Sequence, residues 1–189
     1  MDRPERKPNR LSGYDYAAHG AYFVTICTAK KEPLFWEMDN HGGTTNRGIT
    51  NLGTTTNVVV NHVGAANSRP QATLHLSPAG RVVEHAIQDI SAHYPAVSVD
   101  KYVIMPNHVH AIIRIETTGE DGRMISAPTL STVIGQMKRW VSKQLGRPIW
   151  QKSFYDHIIR NEKEYLDDWN YIHQNPGKWE EDVLFRRIN

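Results

Sequence analysis

The spacing of apolar positions divides the chain into segments of two periods. "AYFVTICTA", residues 21–29, is rich in β-branched and aromatic residues and bounded by Gly20 and the Lys30-Lys31 pair. It predicts a strand, and because it is apolar on both faces the strand is central. In "LSPAGRVVEHAIQDISAHY", Val82, Val83, Ala86, Ile87 and Ile90 recur at helical spacing behind Ser77 as N-cap and Pro78 at the first helical position. "VSVDKYVIM" and "HVHAIIRI" read as two strands that reverse at Pro106-Asn107. A second helix is predicted from Thr129 to Leu145, with Leu130, Val133, Ile134, Met137, Trp140 and Val141 on its apolar side. A short strand follows at Asp156 to Ile159, and a last helix opens at Asn161, capped reciprocally with Glu164.

Strand, helix, two strands, helix, short strand, helix is the order of an α+β fold. It predicts an antiparallel, ferredoxin-like sheet with helices packed mainly on one face. From Asp39 to Arg69 the composition turns to Gly, Asn and Thr with short apolar patches, which reads as a long insertion containing at most a weak hairpin. The 189 residues fit one domain, 1–189, carrying that insertion.

Composition changes this picture little. Twenty-two basic and twenty acidic residues give a net charge of +2, which selects no class of partner. The single Cys27 excludes an internal disulfide and suits a reducing, cytoplasmic setting. No stretch has the apolar length of a membrane span, and the basic first residues lack the apolar core of a signal peptide, so a soluble intracellular protein is expected.

The histidines carry the chemistry. His108 and His110 interrupt an apolar strand at a spacing of two, so they share a face while Val109 points to the other, towards the core. Two imidazoles so placed can converge on one metal ion, although for an isolated pair a half-exposed strand is the better explanation. An added amide or carboxylate oxygen would suit Mg2+ or Mn2+, acting as a Lewis acid on a phosphoryl group. In the last helix, at ~100° per residue, Tyr165, Trp169 and Ile172 form the apolar stripe with Leu166 at its edge. Tyr171 and Asn175 fall together on another face at i and i+4, leaving the Tyr171 hydroxyl free to project, as a surface tyrosine or as a nucleophile.

Four stretches, "GYDYAAHGAYFVTICTAKK", "YVIMPNHVHAIIRI", "IWQKSFYDHIIRNEKEY" and "YIHQNPGKW", together resemble the REP-associated tyrosine transposases, within the single-tyrosine HUH transposases. The insertion lies outside the resemblance. Position by position, it implies His108 and His110 as metal ligands, Asn175 as the side-chain oxygen ligand, and Tyr171 as the nucleophile. It implies a palm-like sheet and a divalent metal, Mg2+ or Mn2+. The substrate would be single-stranded DNA with hairpin structure, cut through a 5′-phosphotyrosine. That link conserves the phosphodiester energy, so no nucleotide cofactor is expected. Nucleoid association follows for such an enzyme.

DNA contacts are expected from Arg3, Arg6, Lys7, Arg10, Tyr14 and Tyr16 in the first residues and from Lys138, Arg139 and Lys143 on the second helix. His157 is either a further group at the site or a core histidine. Little chain follows the tyrosine helix for exchange between subunits, so a monomer is expected, with a homodimer as the alternative. Two other functions compete: a non-catalytic ferredoxin-like nucleic-acid-binding domain, and a metal nuclease that uses water and leaves Tyr171 a bystander.

Overall fold

The computed structural model describes residues 15–38, 58–59, 73–118 and 126–185. Its centre is a four-stranded antiparallel sheet in the order β5-β6-β1-β7, formed by β1 (Gly20–Cys27), β5 (Val97–Met105), β6 (His108–Ile115) and β7 (Tyr155–Ile159). With α1 (Pro78–Gln88) before β5 and α3 (Leu130–Gln144) before β7, the connectivity is β1-α1-β5-β6-α3-β7. This is the ferredoxin-like α+β arrangement expected from the sequence. A short α2 (Ile90–His93) continues α1, and α4 (Glu162–Gln174) ends in a 3₁₀ turn over Asn175–Glu181.

The helices begin where capping chemistry places them. Ser77 Oγ accepts from the Gly80 N–H at 3.1 Å, Thr129 Oγ1 from Thr132 N–H at 3.2 Å, and Asn161 Oδ1 from Glu164 N–H at 2.9 Å. The reciprocal half of the last cap differs from expectation. Glu164 takes the backbone N–H of Arg160 at 2.9 Å and the Asn161 side-chain amide at 3.2 Å.

Alternation along the strands separates two layers. Val24 and Ile26 of β1, Ile104 of β5 and Val109, Ala111 and Ile113 of β6 face α1 and α3, where Val83, Ile87, Val133, Ile134 and Val141 close the main core. On the other face Phe23, Val103, Met105 and Ile112 meet Ile172 of α4 and Trp179. Most of the helical cover is therefore on one side. α4, the exception, buries Ile172 at 1 % exposure, worth about 2 kcal/mol. Polar contacts hold the rest of α4. Tyr165 Oη donates to Asp100 Oδ2 at 3.1 Å, the same oxygen that Arg114 Nη2 reaches at 2.8 Å, and Lys101 lies over the Trp169 ring at 4.3 Å.

The flanks of the insertion are more ordered than composition suggests. β2 (Trp36–Met38), β3 (Val58–Val59) and β4 (Thr73–Leu76) form a second sheet in the order β2-β4-β3. β3 lies inside the Asp39–Arg69 segment and pairs antiparallel with β4 just beyond it; the rest of that segment is outside the described residues. The Trp36 indole N–H donates to the Ile104 carbonyl at 2.7 Å and ties this sheet to β5.

Candidate active site

Pairing across the sheet sets the site. His108 lies between Met105 of β5 and Cys27 of β1, and His110 between Val103 and Thr25, so both imidazoles rise from the α4 face while Val109 enters the main core at 0 % exposure. Both histidines are buried, and their Nε2 atoms stand 3.0 Å apart.

Each ring is held through its other nitrogen. The Asn107 amide group donates to the carbonyls of Lys31, at 3.1 Å, and Leu184, at 2.7 Å, so its oxygen is the atom that faces His108 Nδ1 at 2.8 Å. His108 Nδ1 therefore carries the proton and Nε2 the lone pair. His110 Nδ1 is 2.8 Å from Thr25 Oγ1, a hydroxyl that serves either tautomer. With Nδ1–H donating to Thr25, both Nε2 lone pairs point at one place, which is the arrangement a cation requires. Burial, and after it the charge of Lys31, pushes the pKa of His108 down to about 3. Burial and then His108 lower His110 well below its ordinary value, with Asp182 opposing. Both rings are neutral at physiological pH, the form that ligates metals.

One oxygen donor lies close by, and a second is buried one helical turn beyond Tyr171. Asp182 Oδ2 is 3.7 Å from His108 Nε2, and ligand atoms of His108, His110 and Asp182 all fall within 4.8 Å of one another. Asn175, 5 % exposed at the C-cap of α4, has a buried Oδ1 with no hydrogen-bond partner. An orphaned amide oxygen, a carboxylate and two neutral imidazoles make a donor set that fits Mg2+ or Mn2+.

Tyr171 stands at the edge of this group. Its ring is 47 % exposed, edge-on to His110 at 5.2 Å, and its Oη is 3.5 Å from His110 Nε2. Burial and the Asp182 charge raise the phenol pKa, while a hydrogen bond from the Asn175 side chain opposes the rise. Phe23, stacked on His110 at 5.3 Å, fills the wall beneath.

The remaining sequence-predicted residues are scattered. Arg3, Arg6, Lys7, Arg10 and Tyr14 lie outside the described residues. Tyr16 is buried in the main core, 6.0 Å from the Tyr22 ring, so it offers no free face for base stacking. Lys138 donates to the Gln151 carbonyl at 2.7 Å, with those of Lys152 and Ser153 at 3.4 Å, and burial lowers its pKa. Its ammonium ties down the approach to β7. Arg139 and Lys143 are exposed on α3, across the sheet from the histidines. His157 is engaged by Glu164 at 3.5 Å.

Sequence reasoning missed Asp182, Asn107 and Thr25 as parts of the site. Asn107 is legible as a turn residue, and its second role has no signature in sequence.

The chain is similar to proteins named as tyrosine transposases. No family model matches it. A protein from Escherichia coli named REP-associated tyrosine transposase is 28 % identical over 113 residues, 59 % of this chain and 63 % of the relative. A putative REP-associated tyrosine transposase from Haemophilus influenzae is 27 % identical over 101 residues, 49 % of this chain and 56 % of the relative. The match thus spans less than two thirds of either. An uncharacterized protein from Haemophilus influenzae is 28 % identical over 95 % of this chain and 93 % of its own length. Among solved structures, a REP-associated tyrosine transposase bound to a REP hairpin aligns with a TM-score of 0.53 at 19 % identity, covering 94 % of this chain and 74 % of that one. That likeness shares the α+β fold. No helix among the described residues is long and apolar enough to cross a membrane.

Proposed function

We propose that this chain is a metal-dependent nicking and strand-transfer enzyme for single-stranded, hairpin-forming DNA, with Tyr171 as the nucleophile. The observation that carries the reading is the projection of the Tyr171 hydroxyl to 3.5 Å from His110 Nε2, beside a second imidazole nitrogen 3.0 Å further on. His108, His110 and Asn175 are the proposed ligands, with Asp182 as an added oxygen donor. A divalent ion bound there supplies Lewis-acid polarisation of a phosphoryl oxygen and positive charge that favours ionisation of the nearby phenol. Tyr171 Oη attacks the phosphorus in line, a P–Oη bond forms, the P–O3′ bond breaks, and a free 3′-hydroxyl leaves. The 5′-phosphotyrosine keeps the phosphodiester energy, so rejoining to another 3′-hydroxyl needs no nucleotide. Asn107 and Thr25 hold the two rings so that only Nε2 faces the reaction.

The names of the relatives, and the REP hairpin bound by the structural neighbour, support the choice of substrate. Because one chain supplies both histidines, Tyr171 and Asp182, a monomer can carry a complete site. Such an enzyme works in the cytoplasm at the nucleoid, as a single domain elaborated by the insertion.

The test is incubation with a hairpin oligonucleotide bearing a single-stranded flank, with Mn2+. A denaturation-resistant protein-DNA adduct is expected, lost with chelator and with Tyr171→Phe. Cleavage that survives Tyr171→Phe would assign the attack to water, and binding without cleavage would leave a nucleic-acid-binding domain.

A further inference from the structure

The turn that follows β1 holds two successive lysines in the left-handed region of backbone space, Lys30 at φ 56° and Lys31 at φ 58°. For a residue with a Cβ this conformation is crowded and is ordinarily given to glycine or asparagine. It persists only where the surroundings over-determine it, and such places concentrate at functional sites.

Here the surroundings are identifiable. Thr28 Oγ1 donates to the Glu32 carbonyl at 2.8 Å and is 3.0 Å from the Asn107 carbonyl oxygen, and the Asn107 amide donates to the Lys31 carbonyl at 3.1 Å. Asn107 is the same fully buried side chain that orients His108. One residue therefore fixes both an imidazole of the site and the turn that carries Lys31.

The turn sits at the histidine end of the sheet, because Cys27, the last residue of β1, pairs with His108. The Asn107 amide ties the Lys31 backbone to that end while its oxygen faces His108. Among the described residues, no ion pair to the Lys31 ammonium is formed. A cation at that end of the sheet opposes the binding of a metal ion there. Its placement becomes favourable once an anion arrives, and the anion that the proposed chemistry brings is a DNA phosphate.

We propose that Lys31 is a phosphate-binding residue of the site, its backbone held by the Thr28–Glu32 turn and its ammonium available to receive a non-bridging oxygen of the DNA strand at the His108–His110 pair. This assignment rests on the reading of the protein as a DNA-nicking enzyme and adds to it the group that neutralises the strand where it is cut.

The experiment is binding of the full chain, in Mn2+, to a hairpin oligonucleotide with a single-stranded flank. Fluorescence anisotropy is recorded over a range of salt for wild type, Lys31→Gln and Lys31→Arg. Lys31→Gln is expected to bind about 10-fold more weakly, as for loss of one charge-assisted contact. Its plot of log affinity against log salt should be flatter by about 0.7, the value for one phosphate contact on a single strand. Lys31→Arg should retain most of the affinity.

A neutral methylphosphonate placed at the scissile phosphate, or in a second oligonucleotide at its neighbour, locates the contact. At the contacted position it should weaken wild type more than it weakens Lys31→Gln. Because the variant keeps the backbone of the turn, its thermal midpoint should equal that of wild type, and a fall would move the loss from contact to folding and overturn the assignment. An unchanged salt slope, or methylphosphonate losses that multiply with the substitution at both positions, would also overturn it. If wild type forms the Tyr171 adduct while Lys31→Gln binds normally, the Lys31 assignment alone falls. If wild type does not bind the hairpin, both readings fall.

Discussion

Val109 and His110 are neighbours on β6, yet one enters the main core beneath α1 and α3 and the other a smaller layer beneath α4, where apolar side chains border the histidine pair. The first layer is closed by two helices and many branched side chains, and its stability is a matter of filled volume. In the second, α4 contributes one fully buried aliphatic residue, Ile172, packs Tyr165 and Trp169 at its border, and is tied further by Asp100, Arg114 and Lys101 through hydrogen bonds and charge. A sheet covered on both sides can thus rest most of its folding on one face and leave room on the other for a polar site. Substitutions on the two faces should fail in different ways.

The largest expected effect is on the chemical face. Tyr171→Phe should lower adduct formation by at least about 10⁴-fold, the scale on which removing a nucleophile acts, while denaturant unfolding changes little because the hydroxyl is near the surface. On the other face, Ile113→Ala should cost about 3 kcal/mol in denaturant unfolding, the usual result of emptying a fully buried aliphatic site, and leave the per-molecule nicking rate of the folded fraction close to wild type. An Ile113→Ala protein that folds normally but does not nick would dissolve the distinction between the faces.

Metal should stabilise through the α4 face alone. At a concentration of Mn2+ 100 times its dissociation constant, unfolding should cost about 2.7 kcal/mol more, a gain lost in His108→Ala measured by the same denaturant titration.

Acid provides the smallest and most selective probe. His108 and His110 are held neutral in the fold by burial, so below the ordinary histidine pKa of 6.5 the unfolded chain binds protons that the folded chain does not. Stability contributed by the neutral pair is present above that value and is lost as the pH falls through the window from 6.5 towards 3. In metal-free protein His108 alone should cost about 1.4 kcal/mol on going to pH 5.5, and His110 adds in the same direction. The double substitution His108→Gln, His110→Gln should flatten this dependence; a slope that survives it would place the acid-sensitive groups elsewhere.

Much of this arrangement is legible in sequence because local chemistry and global position agree. Ser77, Thr129 and Asn161 announce their helices by side-chain oxygens that cap free N–H groups, and those bonds form. The histidine pair declares its shared face because strand alternation is a two-residue rule that tertiary packing does not alter. The phase of α4 separates Ile172 from Tyr171 for the same reason. What stays hidden depends on distant partners. β2 and β4 are three and four residues long and gain their order from each other across the insertion. Asp182 reads as one more acidic residue of "EEDVLF" until the 3₁₀ turn after α4 brings it to His108. Lys30 and Lys31 carry no glycine or asparagine to betray a left-handed turn, and Lys138 looks solvent-facing until three carbonyls meet it.

Asn107 joins residues that are remote along the chain, its amide closing loops of 76 and 77 residues to Lys31 and Leu184. Contacts across loops of that size form late, because the entropy of closing the loop is lost before the contact rewards it. The β5–β6 hairpin can therefore exist before His108 has its final setting. Only when the segments bearing Lys31 and Asp182 have both docked does one amide satisfy all three of its partners. The proposed site is in this sense a late product of folding, and a partly folded chain lacks it.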